Sequence, residues 1–359
     1  MRILICWSNL SGYMAACWRA LASIPDVELK IAAYDPASNK NAPFDRTLVN
    51  GLDVTWVNGS DPAETESTLD AFKPDEFDAL VVPGWMNPAY MALARRFRAA
   101  DVPTCMTIDH PWMGTIRQHL ACLKRRSYVS GMSAVFVAGE RARQYAYRLG
   151  APRHRVFTGL YAYDGDAFDP IGDARQSEAS PPPRRFLYIG RFVPVKGLDT
   201  LRDAYSAYRD AVPDPWELHC CGTGPLKDTL TGLEGVTDHG FTQPADLRDH
   251  LREAGALVLP SKFEPWGVVV AEAMAAGLPV ITTDACGAAV ELLTPWHNGL
   301  LVPPGDARAL SRALRDLSKM ATADWRSMSG HAVASARSHA HRVWARRWSR
   351  CLAEVIDAA

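Results

Sequence analysis

Short apolar runs alternate with stretches of helical periodicity along almost the whole chain, and nothing else in the sequence restricts the fold as much. Arg2 to Trp7, Leu29 to Tyr34, Val54 to Val57, Ala79 to Val82, Thr104 to Ile108 and Val135 to Ala138 are short and nearly continuously apolar. Tyr13 to Ala22 and Met91 to Ala100, lying between such runs, carry a helical pattern. Strands that are apolar at every position need cover on both faces, which parallel strands with helical crossovers provide. From Gly172 to Arg185 the apolar period stops, and three consecutive prolines at Pro181 to Pro183 predict a linker. Beyond it the alternation resumes, with strands at Phe186 to Ile189, Trp216 to Cys220, Ala256 to Leu259 and Pro279 to Thr282. Leu198 to Tyr208, Leu226 to Thr231, Leu247 to Glu253 and Val268 to Ala276 fill the positions between.

The expected fold class is therefore α/β, with two doubly wound, Rossmann-like domains over residues 1–172 and 184–338 facing a central cleft. Ligands of open α/β sheets bind at the carboxyl ends of the strands. Val343, Trp344, Trp348, Leu352 and Val355 recur at helical spacing, so residues 339–359 are expected to form a helix returning to the first domain. A length of 359 residues suits two domains, and 48% apolar residues with a net charge of -1 exclude a disordered chain and a general polyanion binder. No apolar stretch reaches the ~18 residues of a membrane span. The opening run Ile3 to Trp7 ends at Ser8 and Asn9, too soon for a signal-peptide core, so cytoplasmic residence is expected. Eight cysteines without C-x-x-C pairs or zinc spacing indicate neither a disulfide framework nor a structural metal.

Chemistry concentrates in three segments of the second half. In Phe263-Glu264-Pro265-Trp266-Gly267-Val268-Val269-Val270-Ala271-Glu272, two carboxylates stand eight positions apart. With a helix starting near Gly267, Glu264 lies in the preceding loop and Glu272 inside the helix. The N–H groups of Gly267, Val268 and Val269 then point outward as donors for a phosphate. A helix that merely begins after a proline would show the same local pattern. The order that follows is less common: Gly277-Leu278-Pro279 leading a strand, then Gly287, then Asn298-Gly299-Leu300-Leu301-Val302. In Gly190-Arg191-Phe192-Val193-Pro194-Val195-Lys196-Gly197, Arg191 and Lys196 follow a strand and could clamp a diphosphate, Arg as a fork and Lys as a point charge. Gly222 and Gly224, in Cys221-Gly222-Thr223-Gly224-Pro225, allow close backbone approach to a ligand or simply form a tight turn.

Taken together these motifs resemble the retaining glycosyltransferases of family 4, which have the GT-B fold and an E-x7-E pair, over residues 184 to 311. The resemblance implies that Arg191 and Lys196 neutralise the donor diphosphate, that Glu272 holds the ribose hydroxyls, and that Glu264 faces the hydroxyls of the transferred sugar. It implies a donor loop at the first helix, where this chain has a single Gly12 in place of the usual glycine pair. It also implies a sugar-contacting histidine after an N-domain strand, best matched by His110 in Thr107-Ile108-Asp109-His110-Pro111, with Asp109 beside it. The expected activity is hexosyl transfer, metal-independent and without a cofactor, from a nucleotide-diphosphate sugar to a hydroxyl of a glycan, lipid-linked or small-molecule acceptor, as in cell-envelope glycan or glycolipid synthesis. A nucleotide-sugar epimerase and a non-catalytic nucleotide-sugar binder are the alternatives.

Charge is uneven within the first half. Residues 1–90 hold 6 Lys and Arg against 12 Asp and Glu, whereas residues 91–155 hold 12 against 3. That basic strip, with Arg117, Lys124, Arg125 and Arg126, suits an anionic acceptor, an acidic membrane surface, or only solvated helix faces. Motifs for reading nucleic acid are absent, so nucleic acid is not an expected partner.

Overall fold

The continuous apolar runs do become strands, most of them buried along their length. A computed structural model describes residues 1–36, 44–178 and 180–359, and the chain divides into two units, Met1–Ala162 with His341–Ala359, and Tyr163–Ala340. Among the described residues of the first unit, seven parallel strands are β1 (Arg2–Trp7), β2 (Glu28–Tyr34), β3 (Asp53–Val57), β4 (Ala79–Pro83), β5 (Thr104–Ile108), β6 (Ala134–Val137) and β7 (Val156–Thr158). Helices α1 (Gly12–Ala22), α2 (Pro62–Asp70), α3 (Pro88–Ala99), α4 (Ile116–Ser130) and α5 (Glu140–Arg148) connect them. The strand order is β3-β2-β1-β4-β5-β6-β7, so the winding reverses between β1 and β4.

The second unit opens with α6 (Gly165–Ser177) and carries β8 (Arg185–Ile189), α7 (Leu198–Ala211), β9 (Glu217–Cys221), β10 (Val236–Asp238), α8 (Pro244–Arg252), β11 (Ala256–Leu259), α9 (Val268–Ala275), β12 (Val280–Thr283), α10 (Gly287–Leu292), β13 (Gly299–Val302), α11 (Ala307–Ser318) and α12 (Thr322–Ala336). Its strands are ordered β10-β9-β8-β11-β12-β13, all parallel, and the reversal lies between β8 and β11. Binding loops in such sheets gather at that switch point.

The predicted linker differs from what the structure shows, since residues up to Ser177 are helical. Asp164 caps α6 by accepting the Asp166 N–H at 3.1 Å. Gly172, the residue that suggested a break, lets α6 lie against α9: a Cβ there would come 2.1 Å from the Ala275 carbonyl oxygen. Arg175 donates to the carbonyls of Leu251, Arg252 and Ala254 at 2.9–3.0 Å, closing the carboxyl end of α8. The first part of the predicted linker, Gly172 to Ser177, is thus the end of a packed helix of the second unit, while Pro181 to Pro183 lie outside any helix or strand. The predicted helix over Leu226 to Thr231 is one 3-10 turn, Lys227–Leu230.

The last helix, α13 (His341–Ile356), belongs to the first unit and packs on α1. Of its predicted stripe, Trp344, Trp348, Leu352 and Val355 are buried and Val343 is half-buried. Trp344 and Trp348 donate their indole N–H groups to the carbonyls of Leu160 (2.9 Å) and Gly159 (3.2 Å), and Trp348 stacks on Phe136 with ring centroids 4.0 Å apart.

Candidate active site

The loop after β8 and the loop after β9 are sewn together by backbone bonds. Gly190 N–H donates to the Cys221 carbonyl (3.0 Å), Phe192 N–H to that of Thr223 (2.8 Å), and Leu226 N–H to that of Phe192 (3.0 Å). Side chains at Gly222 or Gly224 would place a Cβ 2.0 Å from the Gly190 oxygen or 2.5 Å from the Phe192 oxygen. These two glycines are therefore required by the meeting of the loops themselves. Tyr188, fully buried at the end of β8, donates to the Arg191 carbonyl at 3.1 Å, and burial above all pushes its phenol well up, so it stays a donor. The Arg191 side chain is exposed.

The next turn, Pro194–Lys196, is tied to the loop after β11. The Val195 carbonyl accepts the N–H groups of Lys262 (2.8 Å) and Phe263 (3.2 Å), and Lys262 pairs with Asp199 at 2.5 Å. Glu264 is fixed from both sides: its N–H donates to the Ala285 carbonyl (3.3 Å), and its own carbonyl accepts from Gly287 (3.0 Å). With the backbones so held, the Lys196 ammonium meets the Glu264 carboxylate in an ion pair, the side chains 13% and 11% exposed. Ser261 Oγ lies 3.5 Å from the same carboxylate.

This pair stands at the amino end of α9. Gly267 precedes the helix with φ 92°, and a Cβ there would lie 3.0 Å from Glu264 Cγ and 3.0 Å from Cys286 Sγ. The first N–H groups of α9, on Val268 and Val269, have no carbonyl inside the helix, and the helix dipole favours negative charge beside them. Glu264 already uses part of that field. One corner thus brings together an ammonium, a carboxylate, a hydroxyl and a helix start. Glu272, one turn further along α9, is in a different environment: burial, with a contribution from Asp164, pushes its carboxyl up from 4.5 to about 7. Near neutral pH it exists in both protonation states, able to accept or donate a hydrogen bond.

The remaining sequence-derived candidates lie in the first unit. His110 Nδ1 is 2.9 Å from Asp109 Oδ1, and Tyr161 donates to Asp109 Oδ2 at 3.1 Å. The hydrogen bond to Asp109 raises the His110 pKa. Burial raises the Asp109 carboxyl, but the bonds from His110 and Tyr161 outweigh it and hold that carboxyl below its ordinary value. Gly12 opens α1, and the hydroxyl of Ser11 just before it is buried without a hydrogen-bond partner among the described residues.

Sequence reasoning missed Ser261, Tyr188 and Tyr161, because none belongs to a recognisable spacing. It also read Asn298 beside the chemistry motifs, whereas its side chain links Leu292, Thr294 and Ser335 at 2.8–2.9 Å, a structural anchor ahead of β13. Part of the basic strip is likewise structural: Arg96 pairs with Asp70 and donates to the Leu69 and Phe72 carbonyls, and Arg155 donates to that of Ser133.

Residues 183–320, which contain this corner, match the family model of Glycosyl transferases group 1. Among curated proteins, the chain is 33% identical over 193 residues to D-inositol 3-phosphate glycosyltransferase of Jonesia denitrificans, covering 48% of this chain and 45% of that one. It is 31% identical over 142 residues to glycogen synthase of Mycobacterium tuberculosis, covering 38% and 34%. The aligned segments span less than half the length of the curated relatives named here. Among solved structures, Anabaena Alr3699/HepE in complex with UDP and glucose has a TM-score of 0.75 at 18% identity, covering 99% of this chain and 100% of that one. Sucrose-phosphate synthase from Thermosynechococcus elongatus gives 0.72 at 19% identity, covering 99% and 100%. With its two parallel sheets of seven and six strands, the chain has the GT-B fold.

Proposed function

We propose that this chain is a glycosyltransferase that moves a hexosyl group from a nucleotide-diphosphate sugar to an acceptor hydroxyl, with retention of configuration and without a metal. In this reading the second unit binds the donor and the first unit, through His110 and the α1 start, meets sugar and acceptor. The observation that carries it is the Lys196–Glu264 pair at the amino end of α9, inside the segment that matches Glycosyl transferases group 1. A departing diphosphate gains negative charge as the glycosidic bond breaks, and an ammonium with a helix start is preorganised to receive it. Arg191 adds a second cation from the adjoining loop. Because the HepE structure of the same fold holds UDP and glucose, uridine nucleotides are the first donors to test.

Retention through a covalent intermediate needs a carboxylate nucleophile. Glu264 is instead occupied by Lys196 and assigned to the sugar hydroxyls. The proposed step is attack on the departing face. The bond from the anomeric carbon to the phosphate oxygen breaks, the bond to the acceptor oxygen forms, and the acceptor's proton passes to the leaving phosphate. Thermal unfolding with UDP-, GDP-, ADP- and TDP-sugars identifies the donor, since a ligand at 100 times its dissociation constant adds about 2.7 kcal/mol. With that donor, Lys196→Ala or Arg191→Ala lowers transfer by about 10²-fold or more. Unchanged rates in both variants reject the diphosphate assignment, and a glycosyl-Glu264 adduct seen by mass spectrometry rejects the same-face step.

A further inference from the structure

Helix α4 turns the usual order of a globular helix inside out. The residues it buries are Tyr128 and Val129, at its carboxyl end. Its large aliphatic residues face water instead: Ile116 is 81% exposed, Leu120 48% and Leu123 77%, and Met113 just ahead of it 59%. At about 100° per residue, Ile116, Leu120 and Leu123 fall within about 60° of one another, one continuous stripe. Arg117 and Lys124 run along one side of that stripe and Arg126 along the other, all exposed. Residues 116–130 contain no Asp or Glu. At the foot of the helix, Trp112 packs edge-on to His119 and against Tyr145, which Trp85 also meets edge-on.

We propose that α4 is a docking surface for an anionic lipid bilayer, lying in the headgroup plane with Ile116, Leu120 and Leu123 inserted and Arg117, Lys124 and Arg126 on lipid phosphates. An exposed apolar stripe rimmed by cations is the pattern of an interfacial helix. A helix of 15 residues is ~22 Å long, short of the ~30 Å hydrocarbon core, so it lies on the membrane and does not cross it. Among the described residues no helix is long and apolar enough to cross. The charge also disfavours a second copy of the chain as the occupant. Pairing this helix with itself about a two-fold axis would set cation against cation with no carboxylate on α4 to answer it. The surface stands independently of the Glu264 site, and would bring the enzyme to a lipid-linked acceptor.

The test is co-sedimentation of the full chain with vesicles of phosphatidylcholine alone and with added phosphatidylglycerol. Binding should need the anionic lipid and weaken as salt rises. Arg117→Gln with Lys124→Gln should lower the partition coefficient about 30-fold, about fivefold for each cation. Ile116→Ser with Leu123→Ser should lower it at least about tenfold. Both pairs are at exposed positions, so thermal unfolding and UDP binding should match wild type, which separates failure of this surface from failure of the donor site. Absence of binding to anionic vesicles at low salt overturns the proposal, as does binding that neither pair reduces. A dimer in sedimentation equilibrium that Ile116→Ser with Leu123→Ser dissociates, with no vesicle binding, would assign the face to self-association and overturn it equally.

Discussion

Glu264→Gln should tighten the binding of a nucleoside diphosphate while it removes transfer. In the free protein the Lys196 ammonium is committed to the Glu264 carboxylate, and both side chains are nearly nine-tenths buried. A phosphate oxygen placed on the same ammonium, at an ordinary hydrogen-bond length and tetrahedral angle, lies ~5 Å from the carboxylate oxygen. At an effective dielectric of ~20, two unit charges at that separation repel by about 3 kcal/mol. Gln keeps the shape and removes the charge, so that repulsion disappears and Lys196 is released to the phosphate. Allowing for water around the bound diphosphate, affinity should rise about 10- to 100-fold. Isothermal titration of UDP and GDP into wild type and variant measures it directly. The double variant Lys196→Met with Glu264→Gln supplies the control, because the gain depends on the ammonium and should shrink to nothing without it. Equal or weaker binding in Glu264→Gln, with Lys196→Met still harmful, would mean that phosphate and carboxylate do not share the lysine, and the reasoning fails.

Gly267→Ala forces a side chain into the left-handed region and a methyl to within 3.0 Å of Glu264 Cγ. A loss of about 1–2 kcal/mol in chemical denaturation, together with slower transfer, is expected, and wild-type stability would contradict the assigned backbone. Trp348→Ala removes the stack on Phe136 and the hydrogen bond to Gly159, and should destabilise by about 3–5 kcal/mol. A loss below about 1 kcal/mol in a urea titration would show that α13 is not held there as described. Glu272 gives a pH signature. Its carboxyl is raised from 4.5 to about 7, so its contribution is fully present below pH 4.5 and is lost as pH rises through about 7. The change is as much as ~3 kcal/mol. Glu272→Gln should flatten that part of the stability profile, and superimposable profiles for the two proteins would refute the raised value.

Ten of the thirteen strands among the described residues and the start of α9 were legible because each depends on neighbours in sequence, whereas β7, β10 and β13, three or four residues long, are too short to show a pattern. A parallel strand covered on both faces must be apolar at successive positions, and a helix entered through a left-handed residue calls for glycine, as at Gly267. Helix α6 was not legible, because its last turns, Gly172 to Ser177, carry the composition of a linker. Their suitability for a helix appears only once Ala275 lies 2.1 Å from where a Gly172 Cβ would be. Helix α4 was legible only as the alternative of solvated basic helix faces, without bounds, for the opposite reason. Its apolar residues face water, so no core imposes a buried stripe, and its composition registered only as charge.

The sequence by itself determined the architecture: local apolar period and turn chemistry specify two wound sheets, and the spacing of Glu264 and Glu272 specifies one carboxylate before a helix and one within it. Tertiary structure alone decided that Lys196 neutralises Glu264 across 68 positions of chain, that Glu272 titrates near neutrality, and that Gly222 and Gly224 serve the meeting of two loops. The reason is physical. Periodicity follows from the backbone within a few residues, whereas an ion pair or a shifted carboxyl depends on which distant atoms exclude water from it.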